Sequence, residues 1–460
     1  MTLLLYNDNI IHINPIGIIN DGGVKMKRMK LGYFLTGFGH HVASSRHPDA
    51  LAHGGMNLTK TIEQAKLLEQ AKFDFLFMSD SLYLDEKTHP DMFTFFEPIS
   101  LMSIIARETK NLGLIVTGST SFSEPFNLAR IFSSLDHYSD GRAGWNIVTS
   151  GINNTAKNFS GVNNADHDLR YDQAEEFVDI SKQLWDSWKD VSSERLHSAG
   201  GFFDEKQPEP INYEGDFYSV RGPLNIEQSP QGYPLLVQAG SSKKGTAFAS
   251  KHAEVVFTAQ NDIDNAVTFA HNLKEQVAEK RGPKQEIVIM PGIFPFIGET
   301  REEAEAYYNE LQDLIVPEMG LELLSSYLGD TDLSGYELST PFENVHIDKG
   351  NNIQSRVDLI KDTAKKNNST LEDVMKHVAG ARGHHIIVGT AEDVADRMEE
   401  WFTRGAADGF NIMPPLNPTQ LELFINKVVP ILEERGLVQT EYNEGTLREK
   451  LGLSTTQTHS

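Results

Sequence analysis

The sequence predicts an α/β fold, a (β/α)8 TIM barrel with insertions. Three observations carry that reading. Short apolar runs alternate with amphipathic helical stripes from residue 30 onward, and such alternation builds a parallel sheet. Eight β-then-α units can be counted, which favours a closed barrel over an open sheet. The runs end abruptly in small polar residues, as strands do at the carboxyl rim of a barrel. The chain has 460 residues, 39% of them hydrophobic, enough for a large core.

The elements follow in order. Leu31–Leu35 reads as the first strand, with Thr59–Ala71 its helix. Phe73–Met78 is the second strand, ending at Ser79-Asp80; Pro98–Glu108 is a helix with proline in its first turn, where the missing N–H costs nothing. Leu112–Val116 is the third strand, ending at Thr117. Apolar positions at Phe126, Ala129, Phe132 and Leu135 form one helical stripe, which Ser139-Asp140-Gly141 stops. Ala143–Val148 is the fourth strand, turning polar at Thr149-Ser150. Tyr171–Trp188 is a strongly amphipathic helix. Pro234–Val237, Glu254–Thr258, Glu286–Phe296 and Gly409–Met413 complete the strands. Lys243–His252, Ile263–Glu279, Arg301–Leu314, Val394–Arg404 and Gln420–Glu434 complete the helices.

One domain is expected over 29–453, with insertions at about 192–220 and 316–389. Insertions of that length usually shape a substrate mouth, and 316–389 is expected to act as a lid. Residues 1–28 are expected to be a non-native or disordered extension. The codons for Asp21-Gly22-Gly23 can spell a ribosome-binding sequence, placing the natural start at Met26 or Met29. Residues 454–460 read as a disordered tail.

Composition excludes several classes. A net charge of −24 repels nucleic acid and anionic membranes. The absence of cysteine removes disulfides, thiolate metal sites and cysteine nucleophiles, and fits a cytoplasmic protein. No apolar run approaches a membrane span. His40, His41 and His47 with Asp49 lack a helical i,i+4 ligand pair, so no metal site is expected. Neither G-x-S-x-G nor a strand-following G-x-G-x-x-G is present.

The strand ends hold the candidate chemistry. Asp80, Thr117, Asn146, Ser150 and Ser242 all fall on one rim of a barrel. The Gln238–Ser242 turn opens a helix, and unpaired N–H groups at a helix start, with a hydroxyl, can seat a phosphate. Ser242 also reads as a plain N-cap. The block from His167 to Asp172 has two readings: a helix start capped by Asp168, or a loop whose His167 and Tyr171 face the rim. Arg46, His47 and Arg382 are basic groups able to reach an anionic substrate; each also reads as an ordinary solvated charge.

Five stretches then carry a resemblance: KFDFLFMSDSLY (72–83), LARIFSSLDHYSDGRAGWNIVTS (128–150), the NFSGV and HDLRYDQAEEFVDISKQLW block (158–185), SPQGYPLLVQAGSSKKG (229–245) and ADGFNIMPP (407–415). With the terminal YNEGTLREKLGL, the chain resembles the flavin-dependent monooxygenases of the bacterial luciferase superfamily. The branch is that of nitrilotriacetate, dibenzothiophene-sulfone and long-chain alkane monooxygenases. The resemblance implies reduced FMN, supplied by a separate NAD(P)H-dependent flavin reductase, and insertion of one oxygen atom from O2 into a small organic substrate. An organosulfur or N-substituted amino acid is the preferred class, with C–S or C–N cleavage. It implies FMN contacts at Asp80, Thr117, His167 and Tyr171, with Ser242 at the phosphate. Asn146 and Ser150 lie on the matching strand end. It implies a homodimer or homotetramer, and it does not identify a catalytic acid or base. Gly151 stands where the alkane enzyme has a histidine, which argues against alkane hydroxylation. A deazaflavin-dependent hydride-transfer enzyme and a non-catalytic flavin-binding protein are the alternatives.

Overall fold

A computed structural model describes residues 17–20, 23–84, 95–150, 153–160, 167–189, 191, 207–240, 242–329, 331–347 and 354–454. Eight strands form the wall of a barrel: β1 (Lys30–Phe34), β2 (Phe75–Met78), β3 (Gly113–Ser119), β4 (Ala143–Val148), β5 (Leu235–Gln238), β6 (Val255–Thr258), β7 (Val288–Ile297) and β8 (Gly409–Ile412). Each pairs in parallel with the next, and β8 pairs with β1 to close the ring. Closure leaves no free edge among these eight strands.

Alternation along the strands sorts side chains between two cores. Phe75 and Phe77, Ile115, Leu235 and Val237, Val255 and Phe257, Val288 and Met290 form one buried cluster inside the barrel. Gly32 and Gly113 leave room for it: a Cβ on Gly32 would lie 2.2 Å from the Phe75 ring, and one on Gly113 would lie 2.5 Å from Leu447. Intervening residues such as Leu76, Leu114 and Trp145 face the helices. The floor is plugged from the C-terminal segment by Leu447, Leu451 and Leu453. Arg448 is buried there and pairs with Glu254 at 2.6 Å.

Seven helices follow the first seven strands: α1 (Leu58–Gln70), α2 (Pro98–Glu108), α3 (Pro125–Tyr138), α4 (His167–Asp186), α5 (Lys243–His252), α6 (Ile263–Arg281) and α7 (Arg301–Asp313). Local sequence sets their starts. Asn57, Asp262 and Thr300 cap orphan N–H groups with side-chain oxygens. Pro98 and Pro125 occupy the first helical turn. Trp145 is fully buried between these layers, its ring beside Phe132, Phe177 and Trp185, its indole N–H donating to Gly118 O at 3.0 Å.

The segment 316–389 carries α8 (Pro317–Tyr327), α9 (Gln354–Asn367) and α10 (Leu371–Ala381), packed on an apolar cluster of their own around Leu324, Leu328, Leu371 and Met375. It ends in a strand, His385–Gly389, parallel to Ile293–Ile297 of β7. The long β7 therefore serves twice: its first half is barrel wall, and its second half anchors the insertion. Ala391–Thr403 (α11) then leads to β8, and Thr419–Leu423 and Val429–Glu434 flank a π turn at Phe424–Val428.

Several boundaries differ from the sequence reading. β3 runs on through Thr117-Gly118-Ser119, because its ladder with β4 continues past the apolar run. The His167–Arg170 block is the first turn of α4, not a preceding loop. Within the expected disordered extension, Gly17–Asn20 and Gly23–Met26 pair as an antiparallel hairpin, and Lys27 reaches Asp408. Residues 1–16 and 455–460, and most of the 192–220 insertion, lie outside the described residues. The end of that insertion forms a small hairpin, Tyr213–Glu214 with Ser219–Val220.

Candidate functional site

The apolar filling of the barrel stops one layer below the carboxyl rim. The alternation that buries Ile115 on β3 places Thr117 and Ser119 above it. Register sets Thr117 beside Asn146 of β4, and the Asn146 amide donates to the Thr117 hydroxyl at 2.9 Å. Asn146 is 3% exposed and its carbonyl oxygen has no partner. A buried acceptor left unmet is costly in a protein alone and ordinary in a binding site. Ser119 and Ser150 share a hydrogen bond at 2.7 Å. Ser150 holds φ at +25°, a strained value for a non-glycine residue just past a strand end.

The second cluster lies at the β5–α5 turn. Ser242 caps α5, its Oγ accepting the Gly245 N–H at 3.0 Å. Gly240 and Gly245 approach each other across the turn, and the Tyr171 hydroxyl of α4 sits against both. A Cβ on Gly240 would lie 2.8 Å from that hydroxyl, and one on Gly245 would lie 2.9 Å from it. The buried Gln238 side chain accepts the Gly240 N–H at 2.7 Å and sets the turn. The result is a cradle of neutral donors at a helix start that any added methyl would fill. Its chemistry suits a phosphate. Lys244 stands near Asp172 at 3.5 Å on the exposed side.

The third feature is a cavity of about 120 Å³ at the mouth between β1 and β2, lined by Phe34, Thr36, Met78, Asp80 and Arg382 among others. Burial pushes the Asp80 carboxyl above its usual range, and Glu97 adds to the effect. His40 lies close by, fully buried, its Nε2 at 2.8 Å from Phe34 O and its ring between Phe34 and Phe294. Burial, with Arg382 and His384 nearby, drives its pKa well down, so the ring is neutral.

The structure thus joins Thr117 with Asn146, and sets Tyr171 and Ser242 on either side of Gly245. Asp80 stands at the mouth cavity, and Ser150 is joined to Ser119. His167 opens α4, but its side chain lies outside the described residues, as does Gly151. Sequence reading named Gln238 only as the start of the phosphate-seat turn, without a role for its side chain, and did not name Ser119 as a rim partner of Ser150. Their signal was present, since both are polar residues at strand ends. Of the three cations named from sequence, only Arg382 lines the mouth cavity. His47 lies 3.4 Å from Glu310, and Arg46 lines a separate cavity against Leu314 and Met319. Among the described residues no group of three His, Asp or Glu is placed to hold a metal, and no helix is long and apolar enough to cross a membrane.

Known proteins are similar to this chain over most of its length. N-acetyl-S-(2-succino)cysteine monooxygenase of Bacillus subtilis (strain 168) is 52% identical over 429 residues, covering 93% of this chain and 97% of that one. Nitrilotriacetate monooxygenase component A of Aminobacter aminovorans is 37% identical over 441 residues, with 93% and 97% covered. A riboflavin lyase, crystallised with modified FMN and its substrate riboflavin, superposes with a TM-score of 0.80 at 30% identity, covering 93% of this chain and 97% of that one. The profile of the luciferase-like monooxygenases matches residues 29–408, which spans the barrel from β1 to the residue before β8. The chain belongs to the luciferase-like monooxygenase family of flavin-dependent enzymes.

Proposed function

We propose that this chain is the oxygenase component of a two-component system. It takes reduced FMN from a separate NAD(P)H-dependent flavin reductase and inserts one oxygen atom of O2 into a thioether or N-substituted amino acid. The observation that carries the substrate class is the 52% identity, over nearly the whole of both chains, to an enzyme named for a succinylated cysteine thioether. The name of the nitrilotriacetate relative supports the nitrogen analogue.

The residues divide the work by position. Ser242, the Tyr171 hydroxyl and the N–H groups at the start of α5 would hold the FMN phosphate. Thr117 and Asn146 would offer a hydroxyl and an unmet carbonyl to the polar edge of the flavin. His167, Asp80 and Ser150 would complete the set from α4 and the rim. When bound, the reduced flavin supplies the two electrons that activate dioxygen. The packed barrel floor closes the site from below, and 316–389 would close it from above, which excludes water.

Insertion of oxygen at the carbon attached to sulfur gives a hemithioacetal, which falls apart to a carbonyl compound and a free thiol. The second oxygen atom leaves as water, with the two electrons for it being those a bound reduced flavin would supply. At nitrogen the same step gives a hemiaminal, then an amine and a carbonyl compound. The test combines the chain with a flavin reductase, NADH, FMN, catalase and N-acetyl-S-(2-succino)cysteine. Thiol should appear in step with O2 consumed beyond the reductase background, and not anaerobically. No thiol would overturn the substrate class; thiol formed without O2 would overturn the oxygenase reading.

A further inference from the structure

We propose that Arg382 is the specificity-determining anchor for a substrate carboxylate at the barrel mouth. The inference deepens the substrate reading above and rests on it.

The first observation is where the chain puts this cation. Arg382 caps the C-terminus of α10 with φ 53° and ψ 31°, a left-handed conformation. Helices usually give that position to glycine, because a Cβ is penalised there. Here glycine comes one residue later, at Gly383, with φ 84°. An arginine is therefore held in the glycine position while a glycine stands beside it. Backbone conformation alone gives no reason for that choice.

The second observation is what the side chain meets. One guanidinium N–H donates to His40 O at 3.2 Å. Arginine carries five N–H donors, and among the described residues Arg382 makes no ion pair. In a chain of net charge −24, an unpaired arginine at a cavity mouth is conspicuous. Its neighbour His40 is buried and neutral, so it neither competes for an anion nor neutralises one. The His40 carbonyl fixes the guanidinium without cancelling its charge.

The third observation is the rest of the cavity. Thr36 lines it with a buried hydroxyl that has no hydrogen-bond partner. A carboxylate has two oxygens to satisfy. The Arg382 fork and the Thr36 hydroxyl supply donors of the two types such a group takes. Asp80 faces the same cavity and disfavours a second carboxylate there, so the site takes one carboxylate of the substrate and leaves any others outside it. The apolar lining of Phe34 and Met78 suits the hydrocarbon that carries it.

The test measures binding as well as turnover. The probes are N-acetyl-S-(2-succino)cysteine and its trimethyl ester, titrated calorimetrically into the FMN-loaded enzyme. Wild type should prefer the acid. Arg382→Gln should cut the acid-over-ester preference by about tenfold or more, the scale of one charge-assisted contact. Arg382→Lys should restore part of the preference. Arg382→Gly should lose it while keeping or raising the thermal midpoint, since glycine relieves the left-handed strain. A purely structural cap would instead lower the midpoint and leave the preference intact. A loss of preference below about tenfold in Arg382→Gln, or no binding of the acid by wild type, overturns the anchor. Arg382-dependent binding with no thiol released would leave the anchor standing and overturn the substrate reading.

Discussion

Ser242→Ala separates two roles that one hydroxyl plays. In the structure Ser242 Oγ accepts the Gly245 N–H at 3.0 Å. A hydroxyl has one proton to donate besides its acceptor lone pairs. Ser242 can therefore cap α5 and donate to a phosphate at the same time, and alanine removes both. The first loss is felt without ligand: an N-cap serine replaced by alanine costs about 1 kcal/mol of stability. The second is felt only with FMN, where a hydrogen bond to a charged group contributes about 1.5–3 kcal/mol. That range corresponds to a loss of affinity of roughly 10- to 150-fold. Riboflavin carries no phosphate and should bind Ser242→Ala as it binds wild type, apart from the small cost of a frayed helix start.

The assay is a pair of flavin-fluorescence titrations, FMN and riboflavin, on wild type and variant, with a urea denaturation of each protein. Tyr171→Phe is the companion. It removes the hydroxyl facing Gly240 and Gly245 but leaves the Ser242 cap, so FMN should weaken while riboflavin binding stays near wild type. Equal binding of FMN and riboflavin by wild type would refute the cradle. So would a Ser242→Ala variant that weakens both flavins alike, because the effect would then belong to the helix and not to the phosphate.

Three further outcomes are expected. Burial and the Arg397 guanidinium hold His385 at about 4, against roughly 6.5 in an unfolded chain. The unfolded state then binds more protons between those values, so stability falls as pH drops through that window. Burial depresses His40 and His377 in the same direction. His385→Leu should flatten the fall in urea midpoint between pH 7 and 5, and an unchanged slope would exclude His385 as a contributor. Gly32→Ala would place a methyl 2.2 Å from the Phe75 ring, which is fully buried and cannot yield. Overpacking of this kind costs about 1–3 kcal/mol, and a thermal midpoint equal to wild type would show that the floor can repack. Finally, hydrogen exchange in α8–α10 should slow when FMN and substrate are added together, while His385–Gly389, laddered to β7, stays slow throughout. Equal protection of α8–α10 in both states would assign 316–389 a fixed role.

The barrel was legible because its strands are buried on both faces, so they appear as mostly apolar runs broken by single polar residues such as Asn146 and Asn411. Ala143–Val148 and the helices Pro98–Glu108 and Lys243–His252 were read to the residue. Boundaries slipped where pairing, not hydropathy, decides. β3 continues through Thr117 because β4 offers partners as far as Val148. The first turn of α4 takes in His167 to Arg170, where polar residues hid the helical stripe. The polar strand ends showed which residues reach the rim, but not which of them meet. Tyr171 comes to the Gly240 turn only because α4 packs against α5. Arg382 reaches the mouth only because α10 folds back over His40. Both contacts are long-range consequences of topology, and a pattern of residue types along the chain does not encode them.

An acidic chain can still hold an anion, and the proposed cradle would do so by contact donors. Repulsion from a net charge of −24 acts across water, where salt at physiological strength screens it beyond about 8 Å. The donors of the cradle act at contact, where screening is weak. They are neutral: a serine hydroxyl, a tyrosine hydroxyl and the backbone N–H groups at the start of α5. Neutral donors avoid the desolvation cost of burying a lysine ahead of the ligand. Lys244 stays outside, near Asp172, where exposed pairs contribute little. The global charge therefore bears on how fast an anion approaches, and the position of a few dipoles bears on how long it stays. That division lets the surface remain acidic while the rim, from Ser242 round to Arg382, presents donors inward.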